Sequence, residues 1–408
     1  MKNLIVLFIT ILFLQFTLIA QEGWFQQSSV ATDYLTSIYF TDSMTGWTVG
    51  REGIFYTTDG GDNWNIQSTE WCYDVFFVNK DTGWVVGGPT GLMKTTNGGM
   101  DWIDKPILNA CLTDIFFADE NVGWAIGPHD LICNPIIQKT TDGGETWIEL
   151  QEADGQSLYF IDSNVGWYVD YGDEQGMTGE PSVIYKTTNG GLTFFPQDTA
   201  YTLFDICFTD YNYGWIVSRT DNILRTTNGG DTWEEVYPGG ANSVNFINSN
   251  IGWVVGGSEI LHTTNGGSDW TEQESGVNKS LWSVFFIDSI IGWAVGEDGT
   301  ILHTINGGVS SVEEEEIDKL PTDFNLTQNY PNPFNPSTKI RYSVPQLSNV
   351  VIKVFDILGN EIETLVNEEK ATGIYEITWY KEGLPSGVYF YQLRAGDFVE
   401  TKKMVLMK

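Results

Sequence analysis

Three sets of side chains in this sequence carry chemical potential, and their spacing decides what each can do. The first is a row of seven oxygens: Asp59, Asn97, Asp142, Asn189, Asn228, Asn265 and Asn306. Each follows a threonine by two positions and stands directly before Gly-Gly. At that offset the side-chain oxygen accepts backbone N–H groups of a tight turn while the glycines supply positive φ. These residues therefore read as turn staples, with neither acid–base nor metal chemistry assigned to them. The second set precedes the same threonines: Tyr56, Lys94, Lys139, Lys186, Arg225, His262 and His303. A ring of such cations could steer an anionic ligand. In the competing reading, each long stem packs between neighbours and its cation meets an indole or a carboxylate. The third set lies between repeats: the aromatics Trp71, Tyr73, Tyr171, Tyr201, Phe204 and Trp282, and the acids Asp173, Glu174 and Glu180. Exposed rings of this kind stack on sugars or anchor a peptide, or else pack against one another. The loop acids would be the reacting groups if the chain cleaved glycans.

Other chemistries find no footing. There is no Ser/His/Asp set, zinc spacing or phosphate loop, and His129 has no metal partner in sequence. The four cysteines, Cys72, Cys111, Cys133 and Cys207, follow no metal spacing. Cys72 and Cys111 precede the first strands of adjacent repeats, so a disulfide between them and two buried free thiols are both compatible with the sequence. No cofactor and no metal site is expected.

The elements that position these residues come from one unit repeated seven times between Ser37 and Gly308. An apolar-aromatic run is followed by an Asx turn, Gly-Trp-x-Val, then Ile/Leu-x-x-Thr-x-Asn/Asp-Gly-Gly and usually Trp. The Gly-Trp tryptophans are Trp47, Trp84, Trp124, Trp167, Trp215, Trp253 and Trp293. A period of about 40 residues signifies stacked or radial supersecondary units. Each unit supplies four short strands; in the second these are expected at 74–78, 83–88, 91–96 and 102–105. Asp42, Asp119, Asp162, Asp210, Asn248 and Asp288 are placed to cap the first hairpin of their units. The seventh copy lacks its final Trp-bearing strand, whereas Gly23-Trp24-Phe25-Gln26-Gln27 resembles the ending Asp269–Gln273. A ring completed by its own N-terminal strand has no free sheet edge. The fold class is all-β: a seven-bladed β-propeller closed by an N-terminal strand, spanning 21–310, followed by a small immunoglobulin-like β-sandwich.

Residues 1–20 read as an export signal: Lys2, an apolar run from Leu4 to Ile19, and Leu18-Ile19-Ala20 before a cleavage point. A retained membrane anchor is the alternative. Net charge is −34, and it is unevenly placed. Residues 21–310 hold 39 acidic and 9 basic side chains, against 11 and 10 from Ile317 onward. The break falls at Glu313–Glu316 within a solvated linker, 311–320. Such an acidic domain repels phosphate backbones and acidic lipid surfaces, so nucleic acid is excluded as a partner.

The Gly-Trp-x-Val-Gly and Thr-Thr-Asn-Gly-Gly-x-x-Trp wording resembles the propellers of photosystem II assembly and stability factors, and more broadly the Asp-box superfamily that includes sialidases and the sortilin ectodomain. The resemblance covers about 21–310 and implies the propeller fold. It does not carry sialidase activity across. That chemistry needs an arginine triad, and this propeller has only Arg51, Arg219 and Arg225, the last inside the strand ring. The basic patch of the photosystem factors is likewise absent from so acidic a chain.

At the other end, Asn329-Tyr-Pro-Asn-Pro-Phe-Asn-Pro336, Val354-Phe-Asp-Ile-Leu-Gly359, Leu384-Pro-Ser-Gly-Val-Tyr389 and Lys402-Lys-Met-Val-Leu406 occur in order. Over 321–408 this is similar to the type A sorting domain of the type IX (Por) secretion system. Pro331, Asn332, Pro333, Phe334, Asp356, Gly359, Gly387, Tyr389 and Lys403 carry the motif. The resemblance implies passage across an outer membrane by the type IX machinery, then release or attachment at the cell surface. A generic immunoglobulin-like binding module is the alternative. The expectation is a monomeric, non-catalytic exported protein that binds an extracellular protein or glycan through the irregular face opposite the Asp boxes. A glycan hydrolase and an envelope scaffold remain the other readings.

Overall fold

The computed structural model describes residues 23–406 apart from 89–90, 106–110, 128–135, 152, 171, 173–180, 310–323, 330–331, 333, 335, 382 and 397. It divides into two compact units, Met1–Ser311 and Val312–Lys408. The first consists of seven four-stranded antiparallel sheets, six of them running in sequence order from an inner to an outer strand. In the second blade the strands are Asp74–Phe77, Gly83–Gly87, Gly91–Thr95 and Ile103–Asp104. The seventh is Leu281–Phe286, Gly292–Gly296 and Ile301–Thr304, and its outer strand is Phe25–Gln26, paired to His303 and Leu302. The ring therefore closes on its N-terminal segment.

The Gly-Trp motif explains how blades adhere. Each of its tryptophans is fully buried and lies flat on the inner-strand phenylalanine of the next blade. Trp215 stacks on Phe246 with ring centroids 3.5 Å apart, and Trp293 on Phe40 at the same distance across the closure. Six of the seven indoles also donate to a backbone carbonyl in the next blade's Asp box, as Trp167 does to Gly229 at 3.1 Å. The seventh, Trp47, keeps its stack on Phe77 but finds no acceptor. Glycine before each indole is required by contact: a Cβ at Gly214 would stand 2.4 Å from Phe208.

Trp24 substitutes for the missing Asp-box tryptophan. It meets Phe286 edge-on at 5.6 Å, matching Trp64 on Phe40 and Trp270 on Phe246, and its N–H donates to Gln273 at 2.9 Å.

The second unit is a β-sandwich. Asn325–Leu326, Ser337–Val344 and Gly373–Tyr380 form one sheet; Glu361–Lys370, Ser348–Phe355, Gly387–Ala395 and Phe398–Leu406 form the other. Alternating buried residues such as Ile340, Tyr342, Val350, Ile352, Tyr391 and Leu393 fill the space between them.

Candidate functional site

The two faces of the ring are built differently. One carries the first hairpins and the Asp boxes, tied together by backbone bonds such as Gly60 N–H to Met44 and Gly266 N–H to Asn250. In all seven boxes the threonine hydroxyl donates to the Asx side chain and accepts the second glycine's N–H. In the third blade these distances, Thr140 to Asp142 and Gly144 to Thr140, are both 2.8 Å. In six boxes the Asx also accepts an N–H four residues on, as Asp142 does from Thr146 at 2.9 Å. Asn306 instead donates to the Val309 carbonyl. These bonds, led by the Thr146 hydroxyl, pull the Asp142 carboxyl down to about 2. The hairpin Asx residues behave alike, Asp210 accepting from Asn212 and Tyr213.

The ring of residues before the threonines lies on the Gly-Trp indoles. Lys139 sits 4.8 Å over Trp124, His262 and His303 stack on Trp253 and Trp293, and Arg225 pairs with Glu234. Burial lowers both histidines to about 4, so they stack as neutral rings.

At the opposite face the inner strands begin around a central pit of about 1140 Å³. Two tiers line it, each with one residue from every blade. The upper tier is Thr36, Tyr73, Thr113, Gln156, Phe204, Asn242 and Trp282; the lower is Ser37, Asp74, Asp114, Ser157, Asp205, Ser243 and Ser283. Local backbone geometry places them. In blades one, four, five and seven the register shifts at Leu35/Ser37, Gly155/Ser157, Leu203/Asp205 and Leu281/Ser283. These bulges fall on Thr36, Gln156, Phe204 and Trp282 and re-aim them toward the axis. Phe204 and Trp282 are thus inside the strands Leu203–Phe208 and Leu281–Phe286, not upstream of them as their sequence suggests. Below, Tyr39, Phe76, Phe116, Tyr159 and Phe285 approach one another at 4.8–5.2 Å and narrow the channel.

Of the six aromatics singled out from sequence, four line the pit. Trp71 and Tyr73 meet edge-on at 5.1 Å and are 41% and 43% exposed. Phe204 and Trp282 face each other at 6.4 Å. Tyr201 is exposed but outside the lining. Tyr171 lies outside the described residues, as do Asp173, Glu174, Glu180 and His129. The cysteine alternatives resolve differently from a Cys72–Cys111 link. Cys72 and Cys207 are free and buried, while Cys111 is in a disulfide whose partner lies outside the described residues.

Sequence reading missed most of the polar machinery of the pit. Asp74, Asp114 and Asp205 stand directly after the upper-tier residues, a column that is Ser or Asp in all seven repeats. That uniformity was available as a signal. Burial pushes all three carboxyls up, Asp205 to about 6, and for Asp114 the charge of Asp74 adds to the rise. At the mouth, Arg219 lies 4.8 Å over Phe204 and 5.2 Å over Trp282, and Arg51 lies 5.5 Å over Tyr34. Among the described residues no cluster of three His, Cys, Asp or Glu could hold a metal ion.

The profile of the family described as photosynthesis system II assembly factor YCF48 matches residues 17–110, 193–274 and 237–330. The chain belongs to this family. A secretion system C-terminal sorting domain matches residues 328–407, and with it the YCF48-family propeller is fused to a tag for type IX export. The photosystem II assembly lipoprotein Ycf48 of Synechocystis sp. is 51% identical over 39 residues, which span 9% of this chain and 11% of that protein. Two solved propellers share the fold. One, described as YCF48 bound to D1 peptide, is 21% identical with a TM-score of 0.58, covering 70% of this chain and 98% of its own. YCF48 from Cyanidioschyzon merolae is 18% identical with a TM-score of 0.57, covering 69% and 98%.

The sorting motif is assembled from both ends of its domain. Asn332 accepts the Val405 N–H at 2.8 Å, Phe334 N–H donates to the Val405 carbonyl, and the Phe334 ring is buried. The exposed Lys403 offers its carbonyl to Gln328. Asp356 caps the turn through Leu358 and Asn360, with Gly359 at φ 81°. Gly387 opens the strand in which Tyr389 is buried, its hydroxyl donating to Pro385 at 2.7 Å. Pro331 and Pro333 lie outside the described residues. Among the described residues no helix is long and apolar enough to cross a membrane.

Proposed function

We propose that this chain is a non-catalytic surface or secreted binding protein whose propeller captures an extracellular partner at the axial pit. In the proposed domain order, a signal at 1–20 starts export, the propeller spans 21–310, an acidic linker 311–320, and the sorting domain 321–408 completes delivery. The observation that carries the reading is the contrast between two tiers of one pit. The lower tier is Ser or Asp throughout, while the upper tier uses six residue types in seven blades. Variable side chains on a fixed rigid ring are how a scaffold acquires selectivity. The chemistry of the lining also favours binding over turnover. Its one thiol, Cys72, is buried and pushed up to about 12, which leaves it without nucleophilic character. A propeller of like fold solved with a peptide supports a protein segment as the kind of partner.

The test is a binding screen of the purified exported chain on glycan and extracellular-protein arrays, against a Trp71→Ala/Tyr73→Ala/Trp282→Ala variant. Saturable hits that vanish in the variant are expected. Hits retained by it would place recognition elsewhere on the protein.

A further inference from the structure

The pit is layered by charge and by surface type. Its floor carboxyls accept hydrogen bonds from neutral donors, and Asp74 and Asp114 also hydrogen-bond to each other. Ser37 hydroxyl reaches Asp74 at 2.6 Å, Leu158 N–H reaches Asp114 at 2.7 Å, and Val244 N–H reaches Asp205 at 2.9 Å. Among the described residues none of the three forms an ion pair. The pit's cations are held at the mouth instead, each guanidinium over an aromatic ring, with Arg51 also 3.9 Å from Asp33. Between mouth and floor, the wall is aromatic at Tyr73, Phe204 and Trp282 and polar at Thr36, Thr113, Gln156 and Asn242.

An occupant must therefore be cationic at its tip, slender and apolar behind it, and broader outside. Carboxyls lining the bottom of a narrow pit suit the compact head of a primary ammonium better than a planar guanidinium. Aromatic walls suit both the cation and an alkyl stem. The volume exceeds one side chain, and Trp71 with Tyr73 stays exposed beside the opening, so residues flanking the tip also find contacts. Resting on the pit as the recognition site, we propose that its ligand is a protein segment that inserts a lysine, the ammonium seated among Asp74, Asp114 and Asp205.

The cation would displace whatever proton the floor holds. Burial raises all three carboxyls, and the other groups facing the pit are Asp33, Arg51, Arg219, Tyr34, Tyr73 and the Cys72 thiol. Asp205, raised to about 6, gives up its proton as pH rises through that value, so binding strengthens there.

The experiment uses the full exported chain on a peptide array in which every lysine sequence is paired with its Nε-acetyl-lysine form, beside a glycan array, with and without EDTA. Asp114→Asn/Asp205→Asn and the triple aromatic variant are run in parallel, and thermal unfolding confirms that both are folded. Captured peptides are expected to lose about tenfold or more on acetylation and in the Asn variant. Hits that need the aromatics but ignore acetylation and the floor acids, or that EDTA abolishes, overturn the lysine assignment and leave the pit as the site. Capture indifferent to both variants overturns the pit itself.

Discussion

Acidic side chains on the two faces of this ring behave in opposite ways. On the Asp-box face, Asp59 and Asp142 are held below the usual carboxylate range by donors from their own turns. In the pit, Asp74, Asp114 and Asp205 are driven above it by burial, without a cation to pair with. The first arrangement recurs blade after blade and is complete in itself. The second is shared by unlike blades and holds its acids toward the protonated form, with no cation among the described residues to pair with them. In a repeat protein the informative site is where the copies cease to agree, while strict repetition marks the architecture.

The largest test of that division strikes the repeated layer. Trp215→Ala removes a fully buried indole, its stack on Phe246 and its bond to Gly266, at a cost of about 3–5 kcal/mol. Trp24→Ala should cost somewhat less, about 3 kcal/mol, because Trp24 fills the edge-on position of Asp-box tryptophans such as Trp270, not the flat stack of a Gly-Trp indole. Denaturant unfolding measures both. A loss below about 1 kcal/mol for Trp24→Ala would mean that the ring does not depend on its N-terminal strand.

Asp205→Asn is expected to change stability in the favourable direction. The folded carboxyl titrates at about 6, above its unfolded range. The folded state keeps a proton that the unfolded chain has released, so stability falls as pH rises from about 4 to 6. Asn removes that slope and stabilises the protein at pH 7 by roughly 1–3 kcal/mol, discounted for the opening of the pit to water. His262 and His303, lowered to about 4, have the opposite slope in the same window. They are unchanged in the variant, so the difference between variant and parent reports Asp205 together with its repulsion of Asp114. A parallel pair of stability–pH curves would refute the claim.

How much of this was legible follows from the same division. The blades, the closure and the sorting domain could be read from sequence because Gly-Trp, Thr-x-Asx-Gly-Gly and the Pro-rich strap repeat or stand in order. The pit could be read only in part. Trp71, Tyr73, Phe204 and Trp282 were found because large aromatics outside a repeat stand out. Asp74, Asp114 and Asp205 were not, because a Ser/Asp column at the start of an apolar strand looks like its end cap; for Asp205 the bulge at Phe204 adds to the disguise. Tyr201 misled for the converse reason: it is as conspicuous as Trp282 in sequence, yet it falls outside the pit lining.

A step down in size comes from removing one staple. Asp142→Ala deprives the Thr140 hydroxyl and the Thr146 N–H and hydroxyl of their shared acceptor and should cost about 1 kcal/mol, as loss of a comparable cap does. The smallest effect belongs to Asp142→Asn. Five blades already carry Asn there, and Asn228 accepts the Thr232 N–H at 3.0 Å while donating to the Thr232 hydroxyl at 2.9 Å. Asp142 reaches the same two groups of Thr146 at 2.9 and 2.6 Å. Because a hydroxyl can reverse its role, the amide replaces the carboxylate within about 0.5 kcal/mol at pH 7. The pH dependence must still change. Asp142, with a folded value of about 2, contributes stability above the ordinary carboxylate range and loses it as pH falls from about 4 to 2; Asn does not. Thermal unfolding of parent and Asn variant at pH 7 and pH 3 decides the matter. If the variant is as acid-sensitive as the parent, the Asp-box carboxylate is not bonded in its charged form, and the contrast between the two faces fails at its simplest point.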